Sequence, residues 1–265
     1  MGVALPIIIA VIALVCAAVV LSGAWWLPPL ASNWASLDTM MTMTTAVTGI
    51  AFVVTHLVLA YFVFRYRRRA GQAAEHVDDD PRLERWLLIG TSLGITIMLV
   101  PGLFAYGEVV AKPADRLVVE VMGEQWRWNY RFPGPDGIFG RTDVHLISSD
   151  NVYGIDVTDP AAADDVVIVG GPLYLPVDRP VLMQFRSKDV LHNYWVPEFR
   201  VKIDAVPGTI TETWFIPTEK GTYRAACAEY CGIAHYVMVG DIHVVDVAEF
   251  EQWLAELPSV AETLE

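Results

Sequence analysis

Three apolar runs, residues 3–24, 45–64 and 86–106, contain no Asp, Glu, Lys or Arg. Each is close to the roughly 20 residues needed to cross a bilayer core. Inside lipid, a segment of this length satisfies its backbone donors and acceptors only as a helix or as part of a closed barrel. These runs lack the period-2 alternation of a barrel strand, so three helices are expected. With 54% hydrophobic residues and a mean hydropathy of +0.40, the chain has more apolar surface than one soluble core needs. It divides into an apolar segment over 1–30, a helical hairpin over 31–106 and a soluble domain over 107–265.

Charge follows the same division. Residues 1–106 hold 6 Lys/Arg and 6 Asp/Glu, whereas residues 107–265 hold 12 and 25, so the net charge of −13 resides on the soluble domain. Such a surface repels nucleic acid and attracts basic partners, although solubility alone also explains it. Arg65, Arg67, Arg68 and Arg69 follow the second run, and Arg82 and Arg85 precede the third. The positive-inside bias makes that loop cytoplasmic and puts the soluble domain on the outer side. A multi-pass protein of a bacterial plasma membrane with a periplasmic domain fits this pattern. The first run has no Lys or Arg before it and is long for a signal's apolar core. It reads as a retained helix with Cys16 as an apolar filler, a cleaved signal being the alternative.

Beyond residue 107 the helical period gives way to short β-rich runs bounded by Gly and Pro: 116–122, 125–132, 166–169, 180–186, 211–216, 221–225 and 238–245. Strands of this number and length indicate a sandwich or Greek-key barrel. Asp246 and Glu249 have the spacing of a capping box, followed by a short helix that buries Phe250, Trp253, Leu254 and Leu257. The segment 133–165, rich in Gly, Pro and Asp, reads as a long surface insertion. Its acidic residues lack the regular spacing of a calcium loop.

The segment from Cys227 to Met238 carries the chemistry, placing Cys227, Glu229, Cys231, His235 and Met238 within twelve positions. Thiolate, thioether and imidazole donors together select copper over hard cations. One thiolate suffices for a mononuclear site, and the second allows two sulfurs to bridge two ions. A disulfide between Cys227 and Cys231 is the bland alternative in an oxidising compartment. Zinc fits poorly beside a Met. A second imidazole is available at His192, expected at the end of a strand. Trp126 and Trp128 serve equally well as barrel packing or as functional groups. His56 inside the second run is expected to contact a neighbouring subunit, and His145 and His243 have no partners in these motifs.

Three segments together resemble cytochrome c oxidase subunit II: Gly123 to Trp128, Ser187 to Pro197 and Cys227 to Met238. The resemblance implies an α+β membrane protein in which a two-helix hairpin, here with an additional N-terminal apolar segment, precedes a cupredoxin-like β-barrel. It implies a binuclear copper centre with Cys227 and Cys231 bridging, His192 and His235 terminal, Met238 as a weak ligand and the Glu229 carbonyl on the other copper. It also gives the Glu229 side chain to a magnesium or manganese ion shared with subunit I, and makes Trp126 the point of electron input. Glu84, at the cytoplasmic start of the third run, becomes the mouth of a proton channel. An ordinary carboxylate at a helix N-terminus, favoured by the dipole, is the alternative.

The implied partners are a haem-bearing subunit I with other oxidase subunits, membrane lipid and a separate cytochrome c. The chain has no Cys-x-x-Cys-His and so is expected to hold no covalent haem. The copper subunit of a nitric oxide reductase shares the same ligands, and a membrane-tethered copper-delivery module is the reading from another class.

Overall fold

The computed structural model describes residues 3–73 and 79–264. It forms two compact units, Met1–Leu27 with Ser36–Glu108, and Pro28–Ala35 with Val109–Glu265.

The first unit holds the helices α1 (Ala4–Leu21), α2 (Ala35–Arg65) and α3 (Pro81–Val110). All three are long and apolar enough to cross a membrane. Helices α2 and α3 run past the apolar stretches that announced them, because polar flanks continue a helix once it is nucleated. At the start of α3, Asp80 Oδ1 accepts from the N–H groups of Arg82 and Leu83 at 2.9 and 3.4 Å, with Pro81 in the first turn. Both are standard helix-start devices. Hydroxyls that would lack partners in lipid bond back to the preceding turn, as Thr55 to Ala51 O and Thr91 to Leu87 O, both at 2.8 Å.

The second unit is built from ten strands among the described residues: β1 (Leu117–Glu124), β2 (Arg127–Phe132), β3 (Val166–Val169), β4 (Leu173–Pro176), β5 (Val181–Ser187), β6 (His192–Val196), β7 (Val201–Ala205), β8 (Thr211–Phe215), β9 (Gly221–Cys227) and β10 (Val239–Val245). They form two five-stranded sheets, ordered β3-β2-β1-β5-β8 and β4-β10-β9-β6-β7. The pairs β1/β5 and β4/β10 are parallel, and the other neighbours are antiparallel. This is the β-sandwich expected from the strand pattern and the cupredoxin-like resemblance. Strands β4, β6 and β7 were not among the expected runs. His192 opens β6 instead of ending a strand, and Pro176 is tolerated because β4 lies at a sheet edge.

Strands β1 and β2 are buried on both faces. Trp128, Tyr130 and Phe132 alternate with Asn129 and Arg131, all of them buried. The second face is covered by the 133–165 segment, so the expected surface insertion is a packed element with a core of its own. Met122 of β1 joins Val152, Tyr153, Ile155, Ala162 and Val260 in one apolar cluster. The Tyr153 hydroxyl bonds Glu120 O at 3.1 Å and Asn129 O at 2.9 Å. Arg131 pairs with Glu120 at 2.9 Å and with Asp165, and donates to Gly140 O at 2.7 Å.

Helix α4 (Val247–Ala255) buries Phe250 and sets Trp253 edge-on to Phe132 at 5.8 Å. Its expected capping box is absent. Asp246 has the N-cap position but makes no side-chain cap bond, and its carboxylate pairs instead with Lys220 at 3.0 Å. The capping box belongs to α5 (Val260–Thr263), where Ser259 and Glu262 satisfy each other. Residues 28–35 also belong to this unit. Asn33 N–H donates to Ile216 O at 3.1 Å, Thr218 N–H to Ala31 O at 3.0 Å, and Trp34 packs edge-on to Trp214 at 4.7 Å.

Candidate metal centre

Three pieces of the second sheet converge on one point. Strand β9 ends at Cys227, strand β6 begins at His192, and the loop leading into β10 carries Cys231, His235 and Met238. Pairing of β6 with β9 sets Tyr194 opposite Cys227, which holds the two segments in register. The loop is closed by Cys227 N–H to Met238 O at 3.0 Å and by Ala228 N–H to Asn193 O at 2.9 Å.

The sulfurs of Cys227 and Cys231 are 3.7 Å apart and unbonded. A disulfide requires about 2.05 Å, so the disulfide reading does not describe this arrangement. His192 Nδ1 lies 3.9 Å from Cys227 Sγ, and His235 Nδ1 lies 3.6 Å from Cys231 Sγ. Met238 Sδ is 3.7 Å from Cys231 Sγ, and the Glu229 carbonyl is 3.2 Å from Cys227 Sγ. The structure therefore brings together all six groups singled out in the sequence. Among the described residues, the ligand atoms of His192, Cys227 and Cys231 lie within 4.8 Å of one another.

The electrostatics are those of a cradle for cations. Burial raises the Cys227 thiol, but hydrogen bonds from His192 and from the backbone outweigh it and bring the group down to about 6. Burial and the neighbouring Cys227 push Cys231 up to about 12. Two thiolates this close repel, so both ionise at neutral pH only if positive charge sits between them. Burial acts against charge on His192 as well, yet Cys227 and Asp189 raise it. Soft sulfur and imidazole donors around this space suit copper.

Several contributors went unnoticed in the sequence. Asp189 Oδ1 lies 2.8 Å from His192 Nε2, which leaves Nδ1 facing the sulfurs. A carboxylate behind a ligand histidine fixes its tautomer and orientation. Its position three residues before His192 was the available signal. Gly123 is required because a Cβ there would meet His192 Cδ2 at 2.8 Å. The two tryptophans separate: Trp128 is buried and packs edge-on to His192 at 5.9 Å, whereas Trp126 is half-buried, with Nε1 3.3 Å from Cys231 O. The Glu229 side chain is exposed on the metal loop. Glu84 lies exposed in the first turn of α3, where the cap is supplied by Asp80. His56 bonds Phe52 O at 2.8 Å within α2, and His243 bonds Thr222 at 3.1 Å.

Comparison with known proteins gives this geometry a family. The profile described as cytochrome c oxidase subunit II, periplasmic domain, matches residues 117–245. The alternative cytochrome c oxidase subunit 2 of Bradyrhizobium diazoefficiens is 43% identical over 237 residues, covering 89% of this chain and 86% of the relative. The chain belongs to the cytochrome c oxidase subunit II family. Cytochrome c oxidase subunit 2 of Thermostichus vulcanus is 32% identical over 257 residues, with 88% and 76% covered. Among solved structures, the periplasmic domain of subunit II of a cytochrome oxidase from Bradyrhizobium japonicum matches 55% of this chain and 95% of that one, at 30% identity and a TM-score of 0.41. As in other members of the subunit II family, membrane helices here accompany a periplasmic domain, and the protein is part of an oxidoreductase complex.

Proposed function

We propose that the chain is the electron-input subunit of a respiratory oxidase of the bacterial plasma membrane. It takes electrons from a separate cytochrome c at a binuclear copper centre and passes them to haem in subunit I, where oxygen reduction drives proton pumping. The observation that carries this reading is the pair of unbonded sulfurs 3.7 Å apart, flanked by an imidazole on each side. When bound, the copper pair supplies one-electron storage shared over two ions.

The residues then have distinct tasks. Cys227 and Cys231 would hold both coppers, His192 and His235 would each bind one, Met238 would be a weak ligand, and Glu229 would contribute its carbonyl. The exposed Glu229 side chain is free to hold magnesium or manganese shared with subunit I. Asp189 holds His192 so that Nδ1 faces inward. The Trp126 indole, donating to the carbonyl of Cys231, offers a bonded route toward the thiolate. Tyr230, Ile233 and Tyr236, each more than three-quarters exposed on the metal loop, give a partner apolar contact. The acidic domain draws in a basic donor at a rate that falls with salt. Glu84, at the cytoplasmic start of α3, takes up protons for subunit I.

Metal analysis and electron paramagnetic resonance of the purified complex test the centre. Two coppers per chain and one unpaired electron shared over both are expected, and a single localised copper overturns the reading. Met238→Leu should retain copper with an altered potential. Trp126→Phe should slow reduction by cytochrome c while leaving donor binding intact. Glu84→Gln should slow steady-state turnover without changing stopped-flow reduction of the copper centre, and unchanged turnover across the pH range removes the channel role. A complex that consumes nitric oxide but not oxygen belongs to the reductase alternative.

A further inference from the structure

Strands β1 and β2 are joined by the two-residue turn Gln125 and Trp126. The turn reaches from the first sheet to the metal loop of the second, and Gln125 makes two directed contacts there. Its backbone N–H donates to Asp189 Oδ2 at 2.7 Å, and its side-chain Nε2 donates to Cys231 O at 2.7 Å. The other Asp189 oxygen holds His192. One residue thus ties the His192 segment to the Cys231 segment, although its own position is exposed.

Trp126 shares this arrangement as the weaker member. Its Nε1 donates to the same Cys231 carbonyl, but at 3.3 Å, beyond the usual range for such a bond. A carbonyl has two lone pairs, so the glutamine amide and the indole occupy both. The approach needs Gly232, whose φ of +124° is unfavourable for other residues and whose Cβ would come 2.9 Å from Gln125 Nε2 and 3.2 Å from Trp126 Nε1. An exposed glutamine gives up side-chain freedom to be held in this way, a cost that the 2.7 Å bond to Cys231 O offsets.

The geometry points to Gln125 as a positioning residue for electron input. Its amide and backbone N–H hold the turn against the metal loop, so that the Trp126 indole stays seated on the Cys231 carbonyl. This inference rests on the proposed reading of Trp126 as the input group. It adds a residue that acts on electron input through its neighbour. Removing the amide leaves the indole one long bond to the loop and lets it leave the bonded route. Replacing it by a carboxylate puts an acceptor against an acceptor and drives the turn outward.

The test uses the intact oxidase complex carrying Gln125→Leu, Gln125→Glu, Trp126→Phe or the double variant Gln125→Leu/Trp126→Phe. Copper content and the paramagnetic spectrum are recorded first, then reduction of the copper centre by flash-photolysed cytochrome c. Gln125→Leu should keep the copper and its spectrum but slow reduction about fivefold, the change in seated indole that one net hydrogen bond accounts for. Gln125→Glu should slow it further. In the Trp126→Phe background, Gln125→Leu should add nothing, which distinguishes positioning of Trp126 from a general structural role. Loss of copper in Gln125→Leu, an unchanged rate, or an additive double variant each overturns the inference. If the wild-type centre itself is not reduced by cytochrome c, the proposed function fails instead, and the two failures are distinct.

Discussion

Arg131 and Cys227 are both buried, yet their surroundings are opposites. The Arg131 guanidinium sends donors to Glu120, Asp165 and Gly140 O, and stacks over Phe139 at 5.0 Å. Opposite charges and complementary donors meet there. Around Cys227 and Cys231 the nearest groups are a carbonyl, two imidazole nitrogens and a thioether, with no side-chain cation among them. Against its burial, hydrogen bonds from His192 and the backbone lower Cys227, whereas burial and Cys227 raise Cys231. Removing one partner from the first cluster would leave a buried charge uncompensated, whereas the soft donors of the second suit a metal ion.

The most severe way to break the contrast is to remove a sulfur. Cys227→Ser or Cys231→Ser should abolish copper binding in metal analysis while far-ultraviolet circular dichroism stays that of the folded protein. Retention of two coppers would show that the converging groups are not the cradle. Next is Arg131→Ala, which leaves Asp165 buried without its cation and Glu120 with only Arg186 at 3.6 Å, and should cost about 3–5 kcal/mol in denaturant unfolding. Copper per folded chain should not change, because the network does its work in the fold.

Gly232→Ala sharpens the boundary between the two regions. It strains a backbone at φ +124° and crowds Gln125, for an expected cost of about 1–3 kcal/mol. A changed Trp126 fluorescence should accompany the lower thermal midpoint, since the same Cβ presses on the indole. The smallest effect belongs to the partly exposed pair of Lys112 and Glu212. The hydrogen bond from Lys112 holds the Glu212 carboxyl below its ordinary value of 4.5. Its stabilisation is therefore present above that pH and lost as pH falls through the lowered value. Glu212→Gln should cost no more than about 1 kcal/mol at neutral pH. Unfolding curves of variant and wild type should converge in acid, and a constant gap would remove the pair from the account.

Much of the centre was legible because its donors are dense in sequence. Cys227, Cys231, His235 and Met238 lie on one loop, and rare residue types at short spacing need no tertiary information to be noticed. The helices were legible for a related reason, since lipid imposes a length and an apolar composition on each one. Strands β4, β6 and β7 were harder. They are only four or five residues long, and part of their signal is masked by Pro176 or by His192. The capping pattern at Asp246 was misleading because Lys220 competes for the carboxylate, a partner 26 residues away. The 133–165 segment looked like solvent-exposed loop by composition, and its role as the cover of β1 and β2 depends on Met122 and Val260, distant in sequence.

By itself, the sequence determined that three helices meet the length of a membrane, that the acidic domain is rich in short strands, and that soft metal donors gather near the end of the chain. Those are properties of composition and spacing along a few residues. Only the tertiary structure decided that His192 meets Cys227 across β6 and β9, that Asp189 stands behind His192, and that Gln125 and Trp126 share one carbonyl with the metal loop. Each of these joins residues on different strands or loops. Their pairing depends on sheet register and on which loop lies over which, and local pattern carries neither.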